Sequence, residues 1–286
     1  MDLVERVVGH VAALAGAPVR VVGTMVDHHE RCVADVVLAD GTPAVVKGDN
    51  DLGRSRREAR VLGVARDAGL PVPRVIASAV ERRPAVLVLE RVGGEWLAPE
   101  RSAGAWRATG AVLRALHGTA VPGLRELADQ RDWASGMRWL LTYFARHCRE
   151  AGLGADVMGR VRSVVGDLAG DLPAAHLGMT IHGDCMPIHV HLDRDDRVVG
   201  LLDLGDASRG DPAWDIVVLT LRSPEQLAAV LDGYGADDPF RTWVDRARPA
   251  YRALRLVMEV GWLAQHGFDP AEAVVETTEA AAALRA

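Results

Sequence analysis

Hydrophobic and polar positions change their period several times along the chain. Residues 2–16 place Leu3, Val7, Val8, Val11 and Leu14 on one stripe at helical spacing, with Asp2 as the expected N-cap. Two β-rich runs follow at residues 19–25 and 31–38, the second closing in the turn Ala39-Asp40-Gly41 before a third strand at 43–47. Residues 54–68 return to helical spacing (Ala59, Val61, Leu62, Ala65) and stop at Gly69, where Pro71-Val72-Pro73 cannot continue a helix. Two more strands, 74–79 and 85–90, complete an expected five-stranded antiparallel sheet with one main helix. The paired glycines in Arg91-Val92-Gly93-Gly94-Glu95 mark a linker. Beyond it long helical patterns dominate, at about 101–117, 132–151, 156–172 and most of 211–286. They surround one β island at 179–203.

Composition refines this picture in one respect above all. The chain has 286 residues, 49% hydrophobic and 25% charged, which suits a folded globular protein with a sizeable core. Its 33 basic residues are 32 arginines and one lysine, Lys47. Arginine cannot replace lysine where a compact point charge must reach into a tight site, so Lys47 is a candidate functional residue. The net charge of −6 falls wholly on residues 96–286, because residues 1–95 carry 13 acidic and 13 basic side chains. A neutral first part suits an anionic cofactor, and an acidic second part suits a cationic substrate or is a set of solvated helix faces. The absence of any Lys/Arg run argues against nucleic acid or an anionic membrane as partner. No segment has the apolar length of a membrane span, and Met1-Asp2-Leu3-Val4-Glu5 is too acidic to open a signal peptide, so a cytoplasmic protein is expected. Cys32, Cys148 and Cys185 fit no zinc spacing and read as buried, reduced thiols.

The candidate chemistry sits in the β island. It contains His182-Gly183-Asp184, then His189 five residues after Asp184, then Asp203-Leu204-Gly205-Asp206, followed by Gly210-Asp211-Pro212-Ala213-Trp214-Asp215. In a strand-loop-strand context Asp184 stands on a loop and Asp203 ends the next strand. Phosphoryl transfer from a nucleotide needs such a pair, one carboxylate to take the proton of an attacking hydroxyl and one to hold magnesium on the phosphates. Asp206, Asp211 and Asp215 read as structural, Asp211 having the form of a helix N-cap before proline.

With Val45-Val46-Lys47 on a strand, Arg57-Glu58-Ala59 on a helix, residues 87–95 as a hinge and the H-G-D, D-L-G-D and G-D-P-A-W-D segments, nearly the whole chain resembles the aminoglycoside phosphotransferase family, a branch of kinase-like folds. The resemblance implies an α/β (α+β) bilobal protein-kinase-like fold, with residues 1–91 as a nucleotide-binding N-lobe and 92–286 as a helical C-lobe. It implies that Lys47 contacts the phosphates, Glu58 pairs with Lys47, Asp184 is the catalytic base, Asp203 is a metal ligand, and Glu90, Arg91 and Val92 receive the adenine ring. ATP or GTP is the implied donor, with Mg²⁺ or Mn²⁺. His189 departs from the family, which usually carries Asn there; it either ligates the metal, leaves that position to water, or touches phosphate when protonated. The glycine-rich loop of protein kinases is also missing. Its counterpart around His28-His29-Glu30 is a metal site or, as expected here, a loop over the phosphates.

Within the family the active loop resembles actinobacterial resistance kinases for the cyclic peptides capreomycin and viomycin, which implies a small cationic antibiotic as substrate and a monomer or weak dimer. Asp206, Asp237, Asp238 and Glu259 are the candidate carboxylates for its ammonium or guanidinium groups. A housekeeping kinase for choline, homoserine or a sugar, or a nucleotide-binding pseudokinase, is the alternative.

Overall fold

The computed structural model describes residues 3–15, 18–27, 30–125 and 132–284. The expected cap Asp2 and the loop residues His28 and His29 lie outside the described residues. Contacts divide the chain into two compact units, residues 1–108 with 187–207, and residues 109–186 with 208–286.

The first unit opens with helix α1 (Leu3–Ala15) and a sheet of β1 (Arg20–Asp27), β2 (Arg31–Val37), β3 (Pro43–Asp49), β4 (Val75–Ala79) and β5 (Ala85–Glu90). All its pairings are antiparallel, and the order is β1-β2-β3-β5-β4. The expected five-stranded sheet is therefore present. Side chains alternate along β3: Ala44 and Val46 bury against Leu3, Val7 and Val11 of α1 together with Val36, Val86 and Val88, while Lys47 turns to the opposite face. Gly48 is needed where α1 crosses, because a Cβ there would lie 2.2 Å from Val7 Cγ2 and 2.9 Å from Cys32 Sγ.

Helix α2 (Leu52–Asp67) starts at Asp51, whose carboxylate accepts from the amides of Gly53 at 2.8 Å and Arg54 at 3.2 Å. Its buried stripe is Ser55, Glu58, Val61, Leu62 and Ala65. The helix ends at Gly69, whose φ of 81° only glycine adopts cheaply. The expected linker is partly structured, since β6 (Glu95–Trp96) pairs with β8 (Val190–Leu192), which pairs with β9 (Val198–Leu201). The first turn of α3 (Ala103–His117) is capped by Ser102 Oγ, which accepts from Gly104 N at 3.1 Å.

The second unit contains α4 (Trp133–Glu150), α5 (Ala155–Asp171), α6 (Ala213–Leu219), α7 (Leu227–Tyr234), α8 (Asp238–Gln265) and α9 (Ala271–Ala282), with a two-stranded ribbon of β7 (Met179–Ile181) and β10 (Ser208–Gly210). The expected β island is thus split: β7 pairs with β10, whereas β8 and β9 belong to the sheet of β6. The core centres on Trp133, Trp214 and Tyr251, which meet edge to face at centroid separations of 5.5–6.3 Å. Tyr251 and Trp243 both donate to buried Asp211 Oδ2 at 2.7 Å, and Asp211 Oδ1 accepts from Ala213 N at the start of α6. The expected N-cap position falls to Pro212, and Asp211 serves the first amide of α6 from one residue further out. Burial raises its pKa above the carboxylate norm against these donors. All three cysteines are buried and reduced, and burial pushes the Cys148 thiol up to about 11. No helix of the described residues is long and apolar enough to cross a membrane.

Candidate active site

In the first unit, β3 and α2 bring Lys47 and Glu58 together, with Lys47 Nζ 2.5 Å from Glu58 Oε1. The same amine lies 3.0 Å from Asp203 Oδ1. Asp203 stands two residues beyond the end of β9, in a left-handed conformation with φ 59° and ψ 55°. This differs from the expected strand end: the chain turns sharply there, which costs about 1–2 kcal/mol for a residue with a side chain and aims the carboxylate at Lys47. The backbone of Leu202 donates to His189 O at 2.8 Å, and His189 Nε2 comes within 3.8 Å of Asp203 Oδ2.

Arginines that the sequence did not single out complete the cluster. Arg31, the first residue of β2, donates to Asp203 Oδ1 at 2.7 Å. Arg54 binds Asp206 Oδ2 at 2.6 Å, and Arg57 Nε donates to Gly205 O at 2.7 Å, so α2 grips the D-L-G-D segment at two points. Burial acts to raise the Asp203 pKa, but Lys47, Arg31, Arg54 and His189 overcome it and hold the carboxyl well below its usual range. Asp203 is therefore a fixed anion. No set of three His, Cys, Asp or Glu side chains forms a ready metal cage among the described residues. Mg²⁺ does not need one, since it is held by one or two carboxylates together with substrate phosphates. Asp203 supplies one such carboxylate, and His189 beside it offers a softer nitrogen donor.

Glu90 ends β5, and Arg91 and Val92 follow it. Glu90 accepts from Arg74 N at 3.2 Å through its side chain, Arg91 Nε reaches Asp35 Oδ1 at 2.8 Å, and a Cβ on Gly200 would lie 2.5 Å from Val92. A cavity of about 360 Å³ borders Glu90, Arg91 and Val92 from the side of Leu70, Val72 and Val199. It touches neither Lys47 nor Asp203.

In the second unit Asp184 follows β7 on a loop that Asp215 of α6 anchors. Asp215 is fully buried and accepts from His182 N at 2.6 Å and Gly183 N at 3.0 Å, with His117 Nε2 at 2.9 Å. Trp214 Nε1 donates to Gly183 O at 2.8 Å, and Gly183 has φ 86°. The H-G-D and G-D-P-A-W-D segments, separate in sequence, are one hydrogen-bonded assembly. Asp184 itself meets Arg255 of α8, which approaches Oδ1 at 3.3 Å.

The four candidate substrate residues each have partners within their own unit. Asp206 pairs with Arg54 in the first unit, Asp237 caps α8 by accepting from Phe240 N at 2.9 Å, Asp238 opens that helix, and Glu259 pairs with Arg222 and Arg255.

A kinase-like phosphotransferase fold is the class that this sheet, helix pair and reaction loop define. The family model described as the phosphotransferase enzyme family matches residues 35–256, and the chain belongs to that family. Among solved structures, a thermostable mutant of aminoglycoside phosphotransferase APH(4)-Ia is similar over 96% of this chain and 98% of its own, at 16% identity and a TM-score of 0.73. Macrolide 2′-phosphotransferase MphH from Brachybacterium faecium covers 99% of each chain at 19% identity and a TM-score of 0.66. Aminoglycoside phosphotransferase APH(3″)-Id from Streptomyces rimosus, in complex with ADP and streptomycin, covers 79% of this chain and 90% of its own at 24% identity and a TM-score of 0.59. At these identities the likeness carries the fold. The uncharacterized protein YcbJ of Bacillus subtilis is 42% identical over 55 residues, so the match spans 19% of this chain and 18% of that relative.

Proposed function

We propose that the protein transfers the γ-phosphoryl group of ATP to a hydroxyl of a cationic antibiotic, with a tuberactinomycin peptide such as capreomycin first and an aminoglycoside next. One observation carries the phosphotransfer part: Lys47, the single lysine, is held between Glu58 and Asp203 at 2.5 and 3.0 Å. A compact ammonium fixed by two carboxylates is a preorganised partner for phosphate oxygens. Residues 1–91 are the nucleotide-binding part in this reading, with the backbone of Glu90, Arg91 and Val92 receiving the base, and 92–286 carry the reaction loop.

Asp203 and His189 would hold the divalent ion, which when bound neutralises charge on the phosphates. Lys47 orients the donor, Glu58 keeps the amine in place, and Asp184 orients the acceptor hydroxyl and takes its proton. Rate enhancement then comes from positioning and electrostatics. The antibiotic part is supported by the net charge of −6 carried by residues 96–286, which draws cations, and by the kinship with antibiotic phosphotransferases.

The test is a panel of acceptors (capreomycin, viomycin, aminoglycosides, a macrolide, choline, homoserine and sugars) incubated with ATP or GTP and Mg²⁺ or Mn²⁺, read by mass spectrometry. A gain of one phosphate on capreomycin or viomycin supports the reading. Phosphorylation of choline, homoserine or a sugar alone would replace it with a housekeeping kinase.

A further inference from the structure

Arg255 is buried, with 8% of its surface exposed, and among the described residues its hydrogen bonds go to side chains. Its NH2 group donates to Asp184 Oδ1 at 3.3 Å and lies 3.1 Å from Met186 Sδ. Its NH1 group reaches Glu259 Oε2 at 3.4 Å, one turn further along α8. Glu259 also accepts from Arg222 at 2.9 Å, and Arg222 reaches Glu276 at 2.8 Å. Charges thus alternate from Asp184 through Arg255, Glu259 and Arg222 to Glu276. Arg255 Nε has no hydrogen-bond partner among the described residues. A guanidinium buried at that cost, with a donor left unmade, is expensive for stability alone.

We propose that Arg255 is the positioning residue of the general base: it holds Asp184 by Oδ1 so that Oδ2 meets the acceptor hydroxyl, and is itself fixed by Glu259. The proposal rests on the reading of Asp184 as the base. In the reaction the proton of the acceptor hydroxyl passes to Oδ2 as its oxygen bonds to the γ-phosphorus. The bond from that phosphorus to the bridging oxygen breaks, and the electron pair leaves with the nucleoside diphosphate. Arg255 is unchanged throughout. The other titratable groups facing Asp184 in its unit are His182 and Cys185 on its own loop, with Asp215 of α6 behind them and Glu259 behind Arg255.

The experiment compares wild type with Arg255→Lys, Arg255→Met and Glu259→Gln. The Asp184 carboxyl ¹³C resonance, assigned with Asp184→Asn, is followed against pH, and kcat/KM is measured over the same range. In Arg255→Met the Asp184 midpoint rises by at least about half a pH unit, and the acidic limb of kcat/KM moves the same way. Its kcat falls tenfold or more with the nucleotide KM within twofold, and Arg255→Lys recovers most of both. Glu259→Gln, which keeps Arg255 but removes the carboxylate that fixes it, lowers kcat by less than Arg255→Met does with the nucleotide KM within twofold, and serves if Arg255→Met fails to fold. An Asp184 resonance that titrates alike in wild type and Arg255→Met overturns the proposal, as does an unchanged kcat in Glu259→Gln. A resonance that moves while the rate profile stays put overturns instead the reading of Asp184 as base.

Discussion

Lys47 Nζ and Glu58 Oε1 stand 2.5 Å apart, with 11% and 4% of their side chains exposed, so a strand and a helix are clasped by a nearly dry ion pair. Asp203 shares the same amine. Removing Glu58 leaves Lys47 one carboxylate partner among the described residues, and the amine then swings toward Asp203 and away from the position it shares with the helix.

Lys47→Met and Lys47→Arg should each lower phosphotransfer by about 10²–10³, the effect of deleting one preorganised electrostatic contact. Arginine fails as well as methionine because its planar fork cannot occupy the point between two carboxylates at 2.5 and 3.0 Å. Glu58→Gln should raise the nucleotide KM with a smaller loss of kcat, since Asp203 still holds the amine. Steady-state kinetics, with circular dichroism to confirm folding, decides; a Lys47→Arg enzyme within threefold of wild type would refute the assignment.

The depressed pKa of Asp203 has a consequence for acid stability. Its folded value lies below the unfolded value near 3.9, so the native state binds fewer protons there and the stability gained from ionisation is complete above about pH 4. That contribution is lost as pH falls through the folded pKa. Asp203→Asn lowers stability at pH 7, because Lys47 and Arg31 lose their anion, but flattens the dependence below about pH 4. Urea unfolding from neutral pH down to about pH 2.5 measures this. Parallel curves for the two proteins would show that Asp203 does not titrate on folding.

The strands, their antiparallel sheet and the lone lysine could be read from the chain because each rests on a local signal (β-rich runs, turn residues, or a residue count), whereas the place of β5 between β3 and β4 could not. Which of 32 arginines meets a carboxylate carries no such signal. Arg31, Arg54 and Arg255 reach Asp203, Asp206 and Asp184 across 172, 152 and 71 residues, and surface arginines look the same in sequence. The β10 strand escaped for a related reason. Three residues, Ser208-Arg209-Gly210, are too short to show a period, and pairing with β7 is what makes them a strand. The expected strand-end position of Asp203 failed because a left-handed turn at a non-glycine residue is imposed by tertiary contacts, here those to Lys47 and Arg31.

Asp215 should matter to the reaction loop although it is fully buried. It closes the hydrogen bonds of His182 N, Gly183 N and His117, and truncation strips all three of that acceptor. Asp215→Ala is expected to cost about 3–5 kcal/mol and to abolish turnover. Trp214→Phe removes one bond, to Gly183 O, and should cost about 1–3 kcal/mol while lowering kcat more than it changes the nucleotide KM. Equal stability of wild type and Asp215→Ala in urea would show that the loop is held by something else.

Two glycine substitutions of identical chemistry should act with opposite sign. At Gly110 of α3 an added Cβ would lie 2.2 Å from Val230 O and 2.8 Å from Tyr234 N, both backbone atoms of α7. Backbone cannot swing aside as a side-chain tip can, so the helices must separate, and Gly110→Ala is expected to destabilise by about 1–3 kcal/mol or more. Gly159, in the second turn of α5, has nothing within 4 Å of the corresponding position and is exposed. There alanine adds no clash and removes freedom from the unfolded chain, so Gly159→Ala should stabilise by about 0.4–1 kcal/mol. Chemical denaturation of both variants at one pH, with m-values compared, separates the two effects. A neutral Gly110→Ala would mean that α3 and α7 do not approach as closely as their backbone atoms require.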